Sequence, residues 1–142
     1  MKLQDFDYRL WNKEAKTYLK QKVEFEKGKV SFIPENDDRI EIELWSGVCD
    51  KDGVKIFEGD IVKYKFGKSN LLVSYELFHW WLIDLNVEKD LRRDCAIELK
   101  NVRQRSYRSA IDESQIIYES PVLEVIGNIH ENADLLQKEV GE

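Results

Sequence analysis

The segment from Ser46 to Val62 constrains this chain more than any other part of it. Two turn signals, Asp52–Gly53 and Glu58–Gly59, bracket a short apolar piece, and an alternating strand begins at Asp60. Glycine adopts positive φ without steric cost, so each pair reverses or kinks the backbone where another residue would strain it. Gly47, Gly53, Gly59 and Asp60 are therefore read as turn-forming positions, and Gly127 as a bulge within a later strand. The pattern specifies short strands joined tightly. It is a folding signature and carries no reaction chemistry.

Alternation continues on both sides of that segment. Ile40, Ile42 and Leu44 alternate with Arg39, Glu41 and Glu43, which predicts a half-buried strand with the aliphatic residues inside. Val62, Tyr64 and Phe66 share one face of the next strand. Gly67–Asn70 is a loop, Leu71, Val73 and Tyr75 return antiparallel, and a third strand runs from Trp80 or Trp81 to Leu85 after a turn near Leu77–His79. Short strands at this spacing favour a small antiparallel barrel or roll over a parallel sheet. From about Glu88 to Ser120 the rhythm breaks. Leu91, Cys95, Leu99 and Val102 fall at helical spacing, and Arg103–Ser109 has no apolar period and reads as an exposed loop. Pro121 closes this excursion, Val122–His130 returns to strand, and Asn132 is placed to cap a short C-terminal helix ending near Gly141, with a tail at 139–142. The N-terminal stretch stays open at this level. Trp11, Ala15, Tyr18, Leu19 and Val23 fit one helical face, while Asn12–Lys16 equally makes a turn between two strands. Glu26–Lys29 reads as a hairpin loop and Pro34–Asp38 as a solvated turn.

At 142 residues with 42% hydrophobic residues, the chain has enough apolar material for one domain with a real core. A net charge of −6 argues against a dedicated nucleic-acid binder, whose phosphate contacts require a basic surface. Cys49 and Cys95 lack a Cys-x-x-Cys spacing and are expected as inert buried thiols in a reducing compartment. With no apolar leader and no apolar run long enough to span a bilayer, the expectation is a cytoplasmic protein without a membrane partner.

Three segments resemble the YopX family of small phage and prophage proteins. Tyr8–Arg9–Leu10–Trp11 followed by Asn12–Glu14 looks like the family's aromatic-Arg-x-Trp-polar opening. Gly47–Gly53 leading to Ile56–Val62 matches its central motif, and Glu124–Asn132 followed by Leu135–Leu136 its closing one. Order and spacing agree outside Glu88–Ser120. Ala133 stands where the family often has proline. The resemblance implies an SH3-like β-barrel or roll, a bacterial host and a phage or prophage setting. It favours a hairpin at the N-terminus and implies no enzymatic activity.

Individual constellations point the same way. Asp50, Asp52, Glu58 and Asp60 form an acidic group, but counting from Asp50 puts Gly53 fourth and Ile61 twelfth, which fails the calcium-loop pattern. Turn chemistry explains them, and no metal or cofactor is expected. His79 and His130 are too differently placed to build a Ser-His-Asp or Cys-His site. Adjacent Trp80 and Trp81 point to opposite faces of one strand, so one indole is left for the excursion or for a partner. Arg92, Arg93, Arg103, Arg105 and Arg108, with Tyr107 among them, concentrate positive charge in an acidic chain. They are candidates for contact with a partner protein, or alternatively for gripping phosphates and stacking on a base. The sequence thus predicts a non-enzymatic accessory protein acting through protein–protein contacts with itself or with a phage or host protein. A nucleic-acid module built on 92–108 is the alternative.

Overall fold

The computed structural model describes residues 7–19, 25–26, 29–30 and 38–136. Residues Val23, Pro34 and Gly141 and the 139–142 tail, all named above, lie outside them.

The N-terminal ambiguity resolves to a hairpin. Strand β1 (Tyr8–Asn12) pairs antiparallel with β2 (Thr17–Tyr18). Asn12 organises the turn: its Oδ1 accepts the Glu14 and Ala15 N–H groups at 3.0 Å, a local bond that competes against helix. A second small hairpin follows, β3 (Phe25–Glu26) with β4 (Lys29–Val30). Strand β5 (Ile40–Cys49) is ten residues long and does two jobs. Its first half pairs with β1. Its second half bends at Gly47, where φ is +86°, and pairs with β6 (Lys55–Phe57) across a register shift between Trp45 and Cys49.

Strands β7 (Asp60–Tyr64), β8 (Asn70–Glu76) and β9 (His79–Ile83) form the expected antiparallel meander. Phe66 falls beyond the end of β7 and is exposed, contrary to its assignment to that strand's inner face. The excursion is only partly helical. A 3-10 turn at Lys89–Leu91 runs into α1 (Arg92–Cys95), and a second turn spans Leu99–Asn101. Between them, β10 (Ile97–Glu98) breaks the helical spacing and extends the meander by pairing with β9. Segment 103–109, expected as a loop, contains β11 (Arg105–Arg108), paired with β12 (Ile116–Glu119). All four β11 residues are exposed, so no apolar alternation marks the strand in sequence. Strand β13 (Leu123–Asn128) closes on β7 with a bulge before Gly127. The closing helix is a 3-10 turn, Ala133–Leu136. Asn132 does not cap it with its side chain, whose Oδ1 accepts the Asn128 N–H at 3.2 Å instead.

The chain is mainly β, as expected, but among the described residues the strands do not close into a barrel. One sheet has the order β11-β12-β5-β1-β2 with β6 on β5, and the other β10-β9-β8-β7-β13. The hairpin β11–β12 joins β5 in parallel through Tyr118 and Glu119. The core lies between the bent half of β5 and the meander. Val48 and Ile56 meet Val62, Leu71, Val73, Leu82 and Leu123 there, and Leu99 and Val102 of the excursion cover them. On the other face of the meander Ile61 and Leu136 are buried, and Asn70 Nδ2 holds the closing turn through the Leu135 carbonyl at 2.8 Å. Among the described residues no helix is long and apolar enough to cross a membrane.

Candidate functional site

The motif residues of the N-terminus, centre and C-terminus converge on one cluster. Strand β1 alternates, so Arg9 and Trp11 share a face, and Arg9 lies opposite Glu43 of β5. The Gly59 turn, at φ +85°, delivers Asp60 to the same place; a β-carbon there would add strain 3.4 Å from the Glu43 carboxylate. Beyond β13 the chain bends back. Asn128 Oδ1 accepts the His130 and Glu131 N–H groups at 3.0 Å, and the Ile129 N–H donates to the Gly59 carbonyl at 2.8 Å. This loop lays the His130 ring flat on Trp11, with centroids 4.3 Å apart and planes 9° from parallel.

The charged and polar side chains of the cluster engage one another. Arg9 Nε donates to Glu43 Oε2 at 2.6 Å, and its Nη2 reaches Asp60 Oδ1 at 2.7 Å and the Glu58 carbonyl at 3.3 Å. The guanidinium also lies over the rings of Tyr18 and Phe57, at 4.9 and 4.8 Å from their centroids. Glu43 Oε2 accepts the Tyr18 hydroxyl at 3.3 Å, and Glu43 Oε1 lies 2.5 Å from His130 Nε2. A carboxylate only accepts, so Nε2 carries the hydrogen of that bond. Asp60 Oδ2 accepts the Phe57 N–H at 2.8 Å, holding its own turn.

Burial disfavours charge on Arg9, yet Asp60 and Glu43 outweigh it and raise the guanidinium above its ordinary value. Burial raises Asp60 despite Arg9, and burial with the neighbouring Glu43 raises Glu58. Tyr18 is raised by burial and by the Glu43 carboxylate, against the opposing pull of Arg9. Chemically this is a lock: one cation, two carboxylates, an imidazole and a phenol satisfy one another and tie β1, β2, β5, β7 and the loop after β13 together.

Sequence reading missed the lock's centre. Glu43 was assigned to the outer face of β5, yet it is 5% exposed while Ile42, assigned inside, is 56% exposed. The signal lay in Arg9, whose guanidinium across the ladder makes burial of the Glu43 carboxylate tolerable. Nothing in the sequence around His130 marks its stacking on Trp11. Asp50 does follow the expected turn chemistry: Oδ1 accepts the Asp52 and Val54 N–H groups, and Oδ2 that of Val125 in β13, each at 2.9 Å.

The basic residues do not form one patch. Arg92 turns inward to the Leu85 and Val87 carbonyls at 2.9 and 3.0 Å, and Arg93 is exposed on α1. Arg105 pairs with Glu119 at 2.5 Å. Strand alternation puts Arg105 and Tyr107 on one face of β11 and Arg108 on the other. Arg103 is exposed before the strand. Trp80 packs on the core and Trp81 sits on the opposite face of β9, both half-buried. Leu77 and Phe78 at the β8–β9 turn, 78% and 89% exposed, are a pair of adjacent apolar residues left in solvent, and Ile111 is exposed elsewhere. Cys49 is buried, and burial raises its thiol; Cys95 is exposed, correcting the expectation of two buried thiols. Among the described residues no group of His, Cys, Asp or Glu is arranged to hold a metal ion.

The architecture is thus that of a small two-sheet β protein whose terminal and central motifs are joined by a charged lock. The family model described as YopX protein matches residues 7–137, and the chain belongs to the YopX family. Among solved structures it is similar to the crystal structure of protein EF1440 from Enterococcus faecalis, with a TM-score of 0.54 and 21% identity over 93% of this chain and 98% of that one. That likeness shows a shared fold. Comparison with curated proteins finds no match.

Proposed function

We propose that this chain is a non-catalytic accessory protein of phage or prophage origin, working in the bacterial cytoplasm by protein–protein contact and associating with itself through the β8–β9 tip. The observation that carries the reading is the tip's conformation. Leu77 and Phe78 are the two central residues of a two-residue hairpin loop, closed by the Glu76–His79 pair, with φ of 51° and 66°. Such a loop strongly favours Asn-Gly, because other side chains are strained at positive φ. Here the strained positions hold two large apolar residues directed into solvent.

The tip borders a groove lined by Val48, Phe78, Trp80, Leu99, Lys100 and Gln104. Tip and groove lie on one surface, so a two-fold axis through it lets each copy's tip fill the other's groove. The mutual pairing of Arg9, Glu43 and Asp60 supports the non-catalytic part of the reading, since both carboxylates are already held by the guanidinium.

Light scattering at micromolar concentration tests this directly. The wild-type chain is expected as a dimer or larger, and the Leu77→Asn/Phe78→Gly double variant as a monomer. The variant also relieves the strained turn, so its thermal midpoint should rise with a gain of roughly 1–2 kcal/mol. A wild-type monomer at all concentrations would refute self-association.

A further inference from the structure

We infer that the outer edge of β11 docks an extended acidic segment of another protein by strand addition. This surface is separate from the β8–β9 tip, and the inference does not depend on self-association there.

Strand β11 is the terminal strand of its sheet, and its pairing partner is β12. The Ser109 N–H donates to the Gln115 carbonyl at 2.9 Å, which fixes the hydrogen-bonding phase of the hairpin. Stepping two residues at a time, Tyr107 with Ile117 and Arg105 with Glu119 are the bonded pairs. The N–H and C=O groups of Ser106 and Arg108 therefore point away from β12, toward the open edge. Their spacing of about 6.8 Å is the two-residue repeat that an added strand matches.

The hairpin is also structurally incomplete. Only Tyr118 and Glu119 of β12 pair with β5, so the rest of β11–β12 projects as a two-stranded ribbon. Ile116 and Tyr118 are exposed on the face they share with Ser106 and Arg108, and Tyr107 is exposed on the other. A ribbon of two strands is marginal in water, and a third strand with apolar side chains stabilises it.

Charge selects the occupant. Glu119 neutralises Arg105, whereas Arg108 donates only to the Glu113 carbonyl, at 3.4 Å, and Arg103 is exposed with no carboxylate partner among the described residues. A second copy is a poor occupant, because the antiparallel register that joins the outward-facing residues sets Ser106 against Arg108 and brings no carboxylate opposite either arginine. A segment alternating acidic and apolar residues supplies the missing carboxylates and covers Ile116 and Tyr118.

The probe is a short blocked peptide of alternating glutamate and valine, followed by fluorescence anisotropy and by hydrogen exchange read residue by residue. The peptide is expected to bind, to weaken with salt, and to slow exchange at the Ser106 and Arg108 amides. Ser106→Pro removes an outward-facing donor and no ladder bond, and should weaken binding about tenfold or more; Arg108→Glu should do the same. The exchange pattern on the unmodified chain keeps the test decisive should Ser106→Pro disturb the hairpin. The Leu77→Asn/Phe78→Gly variant should bind the peptide unchanged, which separates this site from the tip. Absence of binding, or binding that is indifferent to Ser106→Pro and slows exchange elsewhere, overturns the inference. So does tighter binding of an oligonucleotide of equal charge that is lost in Arg108→Glu but kept in Ser106→Pro.

Discussion

Arg9 decides more than any other side chain in this molecule. It is the cation paired with both Glu43 and Asp60 in the interior, and a buried pair is costly to break from one side. Arg9→Met leaves two carboxylates without their partner and should lower unfolding stability by about 3 kcal/mol in urea titrations. The exposed pair Lys13–Glu41, at 3.7 Å, is a contrast: Lys13→Ala should stay within about 0.5 kcal/mol of wild type. Glu58 gives the lock a pH signature. Burial and the neighbouring Glu43 raise its folded value above the unfolded one, so the folded state binds its proton more tightly. The stability linked to that group is complete below the ordinary carboxylate range and is lost as pH rises through the folded value. Asp60 shifts in the same direction through burial. Glu58→Gln should therefore raise the thermal midpoint at pH 7 slightly, roughly 1–2 °C, and the difference should vanish below about pH 4.

At the scale of elements, the meander from Asp60 to Ile83 was legible because local information suffices: alternating residues, tight loops and one buried face. The turns at Gly53 and Gly59 were legible for the same reason. What escaped was decided by distant partners. Glu43 went inside because Arg9, thirty-four positions away, meets it across the ladder. Strand β11 has no buried face and is a strand only because β12 pairs with it. The helical spacing of Leu91, Cys95, Leu99 and Val102 gave way when Ile97 joined the edge of β9. The projecting hairpin should be the least protected paired segment: the Tyr107 amide should exchange well before those of Ile61 and Val62, both fully buried in β7. Gly127 has a different constraint. A β-carbon there would stand 2.6 Å from Asn132 Oδ1, so Gly127→Ala should displace the Asn132–Asn128 bond and the loop carrying His130. The expected cost is about 1–2 kcal/mol, measurable by thermal unfolding.

For the molecule as a whole, the two sheets separate stability from contact. The lock and the shared core hold the strands from within, while the β8–β9 tip and the β11 edge face outward and contribute little to that hold. Substitutions at the tip and edge should alter assembly without unfolding the chain, and substitutions at Arg9 or Asp50 the reverse. The placement of His130 has one further effect, on biosynthesis. Arg9, Glu43 and Asp60 leave the ribosome well before β13 and the imidazole that completes their cluster. In a nascent chain paused in the excursion, Glu43 lacks its His130 contact and β7 its outer neighbour. The β7 edge therefore stays open to other strands until translation passes β13.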